Sequence, residues 1–402
     1  MVNLKIYNEQ ELKTDPAINF NRPYQQCSYS VMDTIADKDI HFDQQGVSNY
    51  YEEYQYQKKT NVVEGAEGLK VFDQQIAQIK AAGKGKKYDC VLGLSGGIDS
   101  TYLALLAKQN GLRPLLVHFD YGWNLELAVQ NIENIVKNLG LDLYTIVMDW
   151  EEMRSLQRAY YKSSVLDLDV PADHMIFGAL YKTADKFDIK YILSGKNIVT
   201  EAILPRTWNY NKFDLVNLKN INKKFENGSL SKLPKLGIWQ FGYYRAIKQI
   251  KFVDLLNYID YNKEKVKENI ATELNWRDYG GKHYENIFTR FYQGYVLPVK
   301  FGIDKRKAHL STLIFSGQLS KEKAMEILKS PPCDPETVKS DFEYVSKKLG
   351  FSQEEFLSLI NQPNKAHEEY GTDKFQQKIY YGLFKIVSPA TKLVKYFKQL
   401  LR

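Results

Sequence analysis

Between residues 88 and 193 the apolar positions alternate between two patterns, short unbroken runs and helically spaced repeats. Tyr88–Leu94 is one unbroken run and reads as a buried strand, as do Pro114–Phe119, Leu143–Met148 and Tyr191–Leu193. Between them, Thr101–Gln109, Leu125–Leu139 and Asp173–Phe187 predict helices. Strands alternating with helices at this interval imply βαβ units, hence an α/β fold with a doubly wound, mainly parallel sheet. Ligands of such sheets bind at the carboxyl ends of the strands. Residues 1–80 are polar and rich in Tyr and Gln, with a helical pattern only between Lys58 and Lys87. Residues 209–275 read as a polar, basic insertion with helical stretches, and 276–330 as a denser block rich in Gly and aromatics. Residues 335–402 look helical and amphipathic, interrupted at Pro389. The expected organisation is a small N-terminal lobe (1–80), the sheet domain (81–208), the insertion (209–275), a substrate block (276–330) and a helical C-terminal region (331–402).

At 402 residues and 44% hydrophobic, the chain has enough apolar surface for packed cores, which excludes dominant disorder. Its net charge of +7 is concentrated. Residues 209–275 hold 12 basic and 7 acidic side chains, and residues 378–402 hold 6 basic and none acidic. Two local basic regions point to an anionic ligand or surface, not to a protein that coats nucleic acid. Cys27, Cys90 and Cys333 are too few for a disulfide framework. The first residues lack an apolar signal core, and no apolar run approaches the roughly 18 residues that span a bilayer. A cytoplasmic location is expected, with the tail from Lys378 to Arg402 a candidate for contact with the inner face of the membrane.

The most informative stretch is Leu94-Ser95-Gly96-Gly97-Ile98-Asp99-Ser100-Thr101, placed between a strand and a helix. Adjacent glycines let the backbone approach an anion, and the N–H groups opening the next helix point at it. Ser95 and Ser100 add hydroxyl donors. Asp99 beside phosphate implies a bridging Mg²⁺. No Gly-Lys-Ser/Thr ending follows, so this is not a Walker loop.

The string Ser-Gly-Gly-x-Asp-Ser after a strand resembles the signature of the PP-loop ATP pyrophosphatases. That resemblance implies a PP-loop (HUP-like) fold and ATP cleaved between its α- and β-phosphates, with AMP passed to a substrate oxygen. It also implies that His118 and Phe119, ending the second strand, sit where the family's backbone holds adenine. Gly195, Asn197 and Glu201 form a Gly-x-Asn-x-x-Glu segment that lies beside ATP and its metal in amidating members, which makes Glu201 a second candidate for Mg²⁺. A carboxylate at a helix start is the plainer reading of Glu201.

Residues 276–311 narrow the substrate. The strings Trp276-Arg277-Asp278-Tyr279-Gly280-Gly281-Lys282-His283-Tyr284-Glu285, Phe288–Gly294 with Arg290, and Pro298–Ser311 with Lys300, Arg306 and His309 resemble the N-acetyl sugar amidotransferase family. Pro205 with Trp208 and the N-terminal Val31-Met32-Asp33-Thr34 match it too, so the resemblance covers most of 24–330. It implies that a nucleotide-linked N-acetyl sugar is adenylated on its acetamido oxygen and then attacked by ammonia, giving an acetamidino sugar for lipopolysaccharide. Lys282, Lys300 and Arg306 would steady pyrophosphate or a sugar-linked anion, with Arg290 and His309 on the substrate. Glu285 or His283 would take a proton from ammonium. Trp208 and Trp276 are sugar-stacking platforms or core residues; His309 is a contact or a helix cap.

Family members carry two Cys-x-x-Cys pairs near the N-terminus, but here Cys27, Ser30, Ser48 and Tyr51 stand in their place. One thiol cannot build a tetrahedral thiolate site, so no zinc is expected and the lobe should be held by Tyr and Phe packing. The family also implies a separate glutaminase subunit, with a cyclase-like barrel partner, as the ammonia source. Two other readings use the same loop: a PP-loop enzyme thiolating tRNA or making lysidine, and a non-catalytic scaffold in glycan assembly. The substrate block argues against the first, and the intact loop against the second; no nucleic-acid partner is expected.

Overall fold

The computed structural model describes residues 22–281 and 284–387, side chains of 384–387 excepted, together with Leu4, Lys5, Tyr7 and Lys13. Five parallel strands form one sheet in the order β3-β2-β1-β4-β5. They are β1 (Cys90–Gly93), β2 (Pro114–Asp120), β3 (Leu143–Val147), β4 (Tyr191–Leu193) and β5 (Lys251–Val253). Cys90 pairs with Pro114, Leu116 with Leu143, Val91 with Ile192 and Leu193 with Val253. The chain order reverses between β1 and β4, which opens a crevice at their carboxyl ends.

Among the described residues two helices, of 13 and 18 residues, precede the sheet, α1 (Asn49–Asn61) and α2 (Gly65–Ala82). Then come α3 (Ile98–Gln109), α4 (Glu126–Leu139), α5 (Trp150–Ser163), α6 (Val170–Lys186), the single turn α7 (Ile198–Glu201), α8 (Leu215–Phe225), α9 (Ile238–Ala246) and α10 (Lys263–Leu274). Strand alternation sends Leu92, Leu116 and Leu193 to one face, onto Ile76, Leu103, Ile132 and Ile270 of α2, α3, α4 and α10. It sends Val91, Leu115, Val117 and Ile192 to the other, onto Leu180, Tyr181 and Phe241 of α6 and α9.

The four predicted strands and the helices between them are present to within a few residues. Helix α1 lies mostly ahead of the helical pattern that starts at Lys58, and two further elements have no counterpart in the sequence reading. Helix α5 carries charges between its buried Met153, Leu156 and Tyr160, and is started by Asp149, whose side chain accepts from the Glu152 N–H at 3.1 Å. Strand β5 is only Lys-Phe-Val, too short to show a pattern, and it lies inside the segment read as an insertion; that segment completes the sheet.

The C-terminal part is helical. Ile287–Phe291, Tyr292–Val296 and Leu297–Phe301 run on without a break, and the middle stretch is a π-turn ahead of Pro298, which has no N–H to give. Then follow α11 (Lys305–Phe315), α12 (Lys321–Leu328), α13 (Pro335–Leu349), α14 (Gln353–Ile360) and α15 (Lys374–Val387). The Ile287–Phe301 run, α11, α13 and α14 share one core with α5 and α8, around Phe288, Phe291, Phe342 and Phe356. Helix α12 packs Ala324 and Leu328 with Val31 and Leu310, and α15 sends Tyr380 into the core between the sheet and α9.

The N-terminal residues pack onto α11. Tyr51 and Tyr54 meet Phe315 with ring centroids 5.2 and 5.7 Å apart, and buried Asp33 pairs with buried Lys307 at 2.5 Å. The thiol of Cys27, fully buried, is raised by that burial, but hydrogen bonds from Ser30 and Ser48 and nearby N–H groups outweigh it and hold the thiol below its ordinary value. The predicted tail contact falls mostly on residues 388–402, outside the described residues.

One buried carboxyl pair anchors α15. Burial and the Asp214 carboxylate push Asp373 up to about 7. Because this exceeds the value in the unfolded chain, folded protein holds the proton longer, and stability falls as pH rises from the ordinary carboxylate range to that value. Asp373→Asn is expected to raise Tm at pH 8, by less as the pH is lowered; calorimetry at several pH values checks this.

Candidate active site

Two adjoining cavities open at the carboxyl ends of the strands and share Ser95, Gly195 and Glu285. The first, about 410 Å³, is lined by the loop residues Ser95, Gly97, Asp99 and Ser100 and by Glu201, Lys263, Tyr279 and His309. The second, about 400 Å³, is lined by Leu94, His118 and Phe119 and by Phe177, Asp169, Asp173 and Lys305.

The loop is held from several sides. Gly96 has φ +81, and a Cβ there would stand 2.9 Å from the Ala128 carbonyl oxygen, so glycine is required. Buried Trp276 donates its indole N–H to the Gly96 carbonyl at 2.8 Å, which makes it a positioning residue for the loop. The Gly97 N–H donates to Ser95 Oγ at 3.2 Å, and Thr101 donates its hydroxyl to the Gly97 carbonyl at 2.7 Å. Gly195 comes so close that a Cβ on it would lie 3.3 Å from the Ser100 nitrogen.

Asp99, in the first turn of α3, accepts from the Tyr261 hydroxyl and from the Asn197 amide at 3.2 Å on the same oxygen. Burial, then Asp99, then Glu201 drive the Tyr261 hydroxyl well above its ordinary value, so the phenol stays a donor. Both carboxylates thus act on one hydroxyl and line one cavity. Two carboxylates beside a phosphate loop suit Mg²⁺, which takes few protein ligands and completes its shell with phosphate oxygens and water. Asn197 is buried and does not line either cavity; it works through Asp99.

Glu285 reaches the seam between the cavities because its neighbours pair with the loop after β2. The Leu125 N–H donates to the Glu285 carbonyl at 2.9 Å, Asn124 bridges Asn286, and the Ile287 N–H donates to the Trp123 carbonyl at 2.8 Å. A Cβ on Gly97 would stand 3.2 Å from the Tyr279 hydroxyl oxygen and 3.9 Å from Glu285 Oε1, so Tyr279 and Glu285 close over the loop. Burial and Glu285 raise the Tyr279 hydroxyl far above its ordinary value.

His118 is buried. Its Nδ1 bonds the Leu94 carbonyl at 3.1 Å and its Nε2 accepts from Asn124 at 3.0 Å, so both nitrogens are committed to holding β1 against the loop after β2. Asp169 is buried and raised, first by burial and then by Asp173, against the pull of Lys305; Thr289 and Gln293 donate to it at 3.3 and 3.2 Å.

Several expected substrate contacts are used elsewhere. Trp208 is buried and gives its indole N–H to the Ala36 carbonyl at 2.5 Å, so it is a core residue and no stacking platform. Arg290 forks onto buried Asp341 at 2.7 and 2.8 Å. Lys300 donates to the Ile360 and Gln362 carbonyls at 2.7 and 2.6 Å, capping the end of α14. Arg306 pairs with Asp304 at 2.6 Å and reaches the Pro331 carbonyl at 3.2 Å. None of the four lines either cavity. The cation of α11 that does is Lys305, one residue earlier and so about 100° round the helix. Lys282 and His283 lie outside the described residues.

Residues 89–175 match the model of the queuosine biosynthesis protein QueC, and residues 285–383 match that of the WbpG-like C-terminal domain of LPS biosynthesis proteins. Together the two matches point to a PP-loop segment in the sheet domain followed by a WbpG-like C-terminal segment. This combination is that of an ATP-using enzyme. The uncharacterized protein MJ1599 of Methanocaldococcus jannaschii is 24% identical over 259 residues, covering 62% of this chain and 75% of that protein. Two solved structures are similar at low TM-score. NMN synthetase from Francisella tularensis covers 70% of this chain and 96% of its own, at 15% identity and TM-score 0.35. NH3-dependent NAD synthetase from Campylobacter jejuni covers 71% and 97%, at 14% identity and TM-score 0.29. The matched WbpG-like segment begins at Glu285, the residue that enters the seam.

Proposed function

We propose that this protein converts the acetamido group of a nucleotide-linked N-acetyl sugar into an acetamidino group, with ATP and ammonia, in surface-glycan synthesis. The observation that carries the reading is the placement of Glu285, from the WbpG-like domain, between the phosphate-loop cavity and the cavity beside β2. The acetamido oxygen attacks the α-phosphorus of ATP and pyrophosphate leaves, giving an O-adenylyl imidate. Ammonia then adds to the imidate carbon, and AMP leaves with the former acetamido oxygen.

The second cavity suits the nucleoside of ATP, with Phe119 and Phe177 for the base and Asp169 and Asp173 as acceptors for ribose hydroxyls. The loop from Ser95 to Ser100 suits the phosphates. Asp99 and Glu201 would hold Mg²⁺, which when bound would supply positive charge beside the phosphates. Glu285 is the base placed to take a proton from incoming ammonium. A third cavity of about 540 Å³, at the ends of β4 and β5, shares Glu201 with the first and Phe177 and Phe252 with the second. Its exposed Lys196 and Arg206 and its Tyr56 suit the diphosphate and base of the sugar nucleotide.

Cys27, Cys90 and Cys333 are all buried and none lines the three cavities, so no thiol stands ready to release ammonia from glutamine there. A separate glutaminase subunit with a cyclase-like barrel partner fits that role. With ATP, Mg²⁺ and ammonium, an N-acetylated nucleotide sugar is expected to yield AMP and pyrophosphate and a product whose neutral form is about 1 Da lighter and which takes up a proton on a group more basic than His. Mass spectrometry checks this. Release of ADP, or ATP cleavage stimulated by tRNA in place of the sugar, would overturn it.

A further inference from the structure

Helices α9 and α15 lie side by side on the outside of the sheet domain. Gly242 lets them touch: a Cβ there would fall 2.4 Å from a ring carbon of Tyr380, and Trp239 meets Tyr380 edge-on at 5.9 Å. Their inner faces bury Ile238, Phe241 and Tyr380. Their outer faces are apolar as well. On α9 and just beyond it, Trp239, Tyr243 and Ile247 are 48%, 45% and 69% exposed, and on α15 Phe375, Ile379 and Leu383 are 74%, 40% and 51% exposed. Each trio is spaced i, i+4, i+8, so each forms one stripe along its helix. A soluble surface does not need two such stripes beside each other.

The charge that these segments carry in sequence is of one sign. Residues 238–251 and 374–402 carry ten Lys or Arg and no Asp or Glu. Lys248 pairs with Asp185 of α6 at 2.6 Å, and Lys374 lies 3.7 Å from Glu368; these are acidic groups of neighbouring segments. Lys378 is exposed between Phe375 and Ile379. Beyond Val387 the sequence keeps the same composition, with Lys392, Lys395, Lys398 and Arg402 among Leu, Val, Tyr and Phe.

We propose that the α9–α15 face seats this protein on an anionic lipid surface. Apolar stripes with Trp and Tyr, on segments that carry cations and no carboxylate of their own, match a bilayer, whose interior takes the apolar side chains and whose phosphates take the cations. A protein partner fits less well, since the buried centres of protein interfaces are depleted in Lys. Nucleic acid would take the cations but leave the aliphatic stripes Ile247, Ile379 and Leu383 with nothing to bury them. Seating does not depend on the reaction proposed above, because none of these six side chains lines the phosphate-loop cavity or the one beside β2.

The test is co-sedimentation of the full chain with vesicles of phosphatidylcholine alone, or mixed with phosphatidylglycerol. The protein should pellet with the mixed vesicles, stay in solution with the neutral ones, and be released by salt. The double variant Ile247→Glu/Phe375→Glu changes two exposed side chains, so it should fold and keep its melting temperature while its partition falls at least about tenfold. Three results would overturn the proposal: no binding of the parent to mixed vesicles, unchanged binding of the folded variant, or a dimer in light scattering that the variant breaks without any vesicle binding. The last would assign the face to a second copy of the chain.

Discussion

Asp99→Asn is expected to lower Mg²⁺-dependent pyrophosphate release by about 10²- to 10³-fold while leaving the fold intact. The carboxylate sits in the first turn of α3, where phosphate would otherwise have the helix N-terminus to itself. A negative group there is costly unless a cation lies between it and the phosphates. Asparagine keeps the size and an acceptor for Tyr261 and Asn197, but not the charge that holds the cation. The loss should therefore appear as a weaker response to Mg²⁺, not as a lower melting temperature. Tyr261→Phe removes only a hydrogen bond that aims the carboxylate, and about a tenfold loss is expected. Pyrophosphate release by Asp99→Asn at the parent rate would remove Asp99 from the site.

The parts of this site that are contiguous in sequence are legible there, and those that converge from afar are not. Ser95–Ser100 is readable because a strand, two glycines and a helix start occur in one short stretch, and the structure puts them at the carboxyl edge of the sheet. Tyr261 and Asp169 come from separate segments with nothing local to mark them, while Tyr279 and Lys305 stand inside the strings at 276–285 and 298–311 with nothing to single them out from their neighbours. The misplaced cations share one cause. Lys300, Arg290 and Arg306 stand in a polar block, but a helix end, buried Asp341 and Asp304 satisfy them. A sequence shows that a cation is present without showing which carbonyl or carboxylate folds back onto it. Trp276 is the converse case, since an indole read as platform or core is found to fix the Gly96 carbonyl. Similarly, the first four strands announce themselves through apolar runs, whereas β5 is three residues long and is defined only by its pairing with β4 at the edge of the sheet.

Lys307→Met is expected to open the N-terminal lobe. Lys307 is 2% exposed and its partner Asp33 is fully buried. Asp33 also accepts from the Ile35 and Ala36 N–H groups at 3.1 and 2.8 Å, so it holds the turn that follows Cys27. Removing the cation leaves a buried carboxylate without its countercharge, which costs about 3–5 kcal/mol. In a chain of this size that cost appears first as local opening, not as a shift of one global transition. Cys27 reports it, because its backbone N–H bonds the Met32 carbonyl at 2.9 Å and its thiol is fully buried. Labelling of Cys27 by a thiol reagent should rise at least about 10²-fold in Lys307→Met, with Cys90 in β1 unchanged. The double variant Asp33→Asn/Lys307→Met removes the stranded charge and should recover most of the protection. Equal labelling of the parent and the single variant would show that the pair does not hold the lobe. The effect should extend to turnover through α11. Lys305 and His309, one helical turn apart, face the two cavities, while Lys307 between them points back to Asp33. Loss of that anchor frees the helix that carries both.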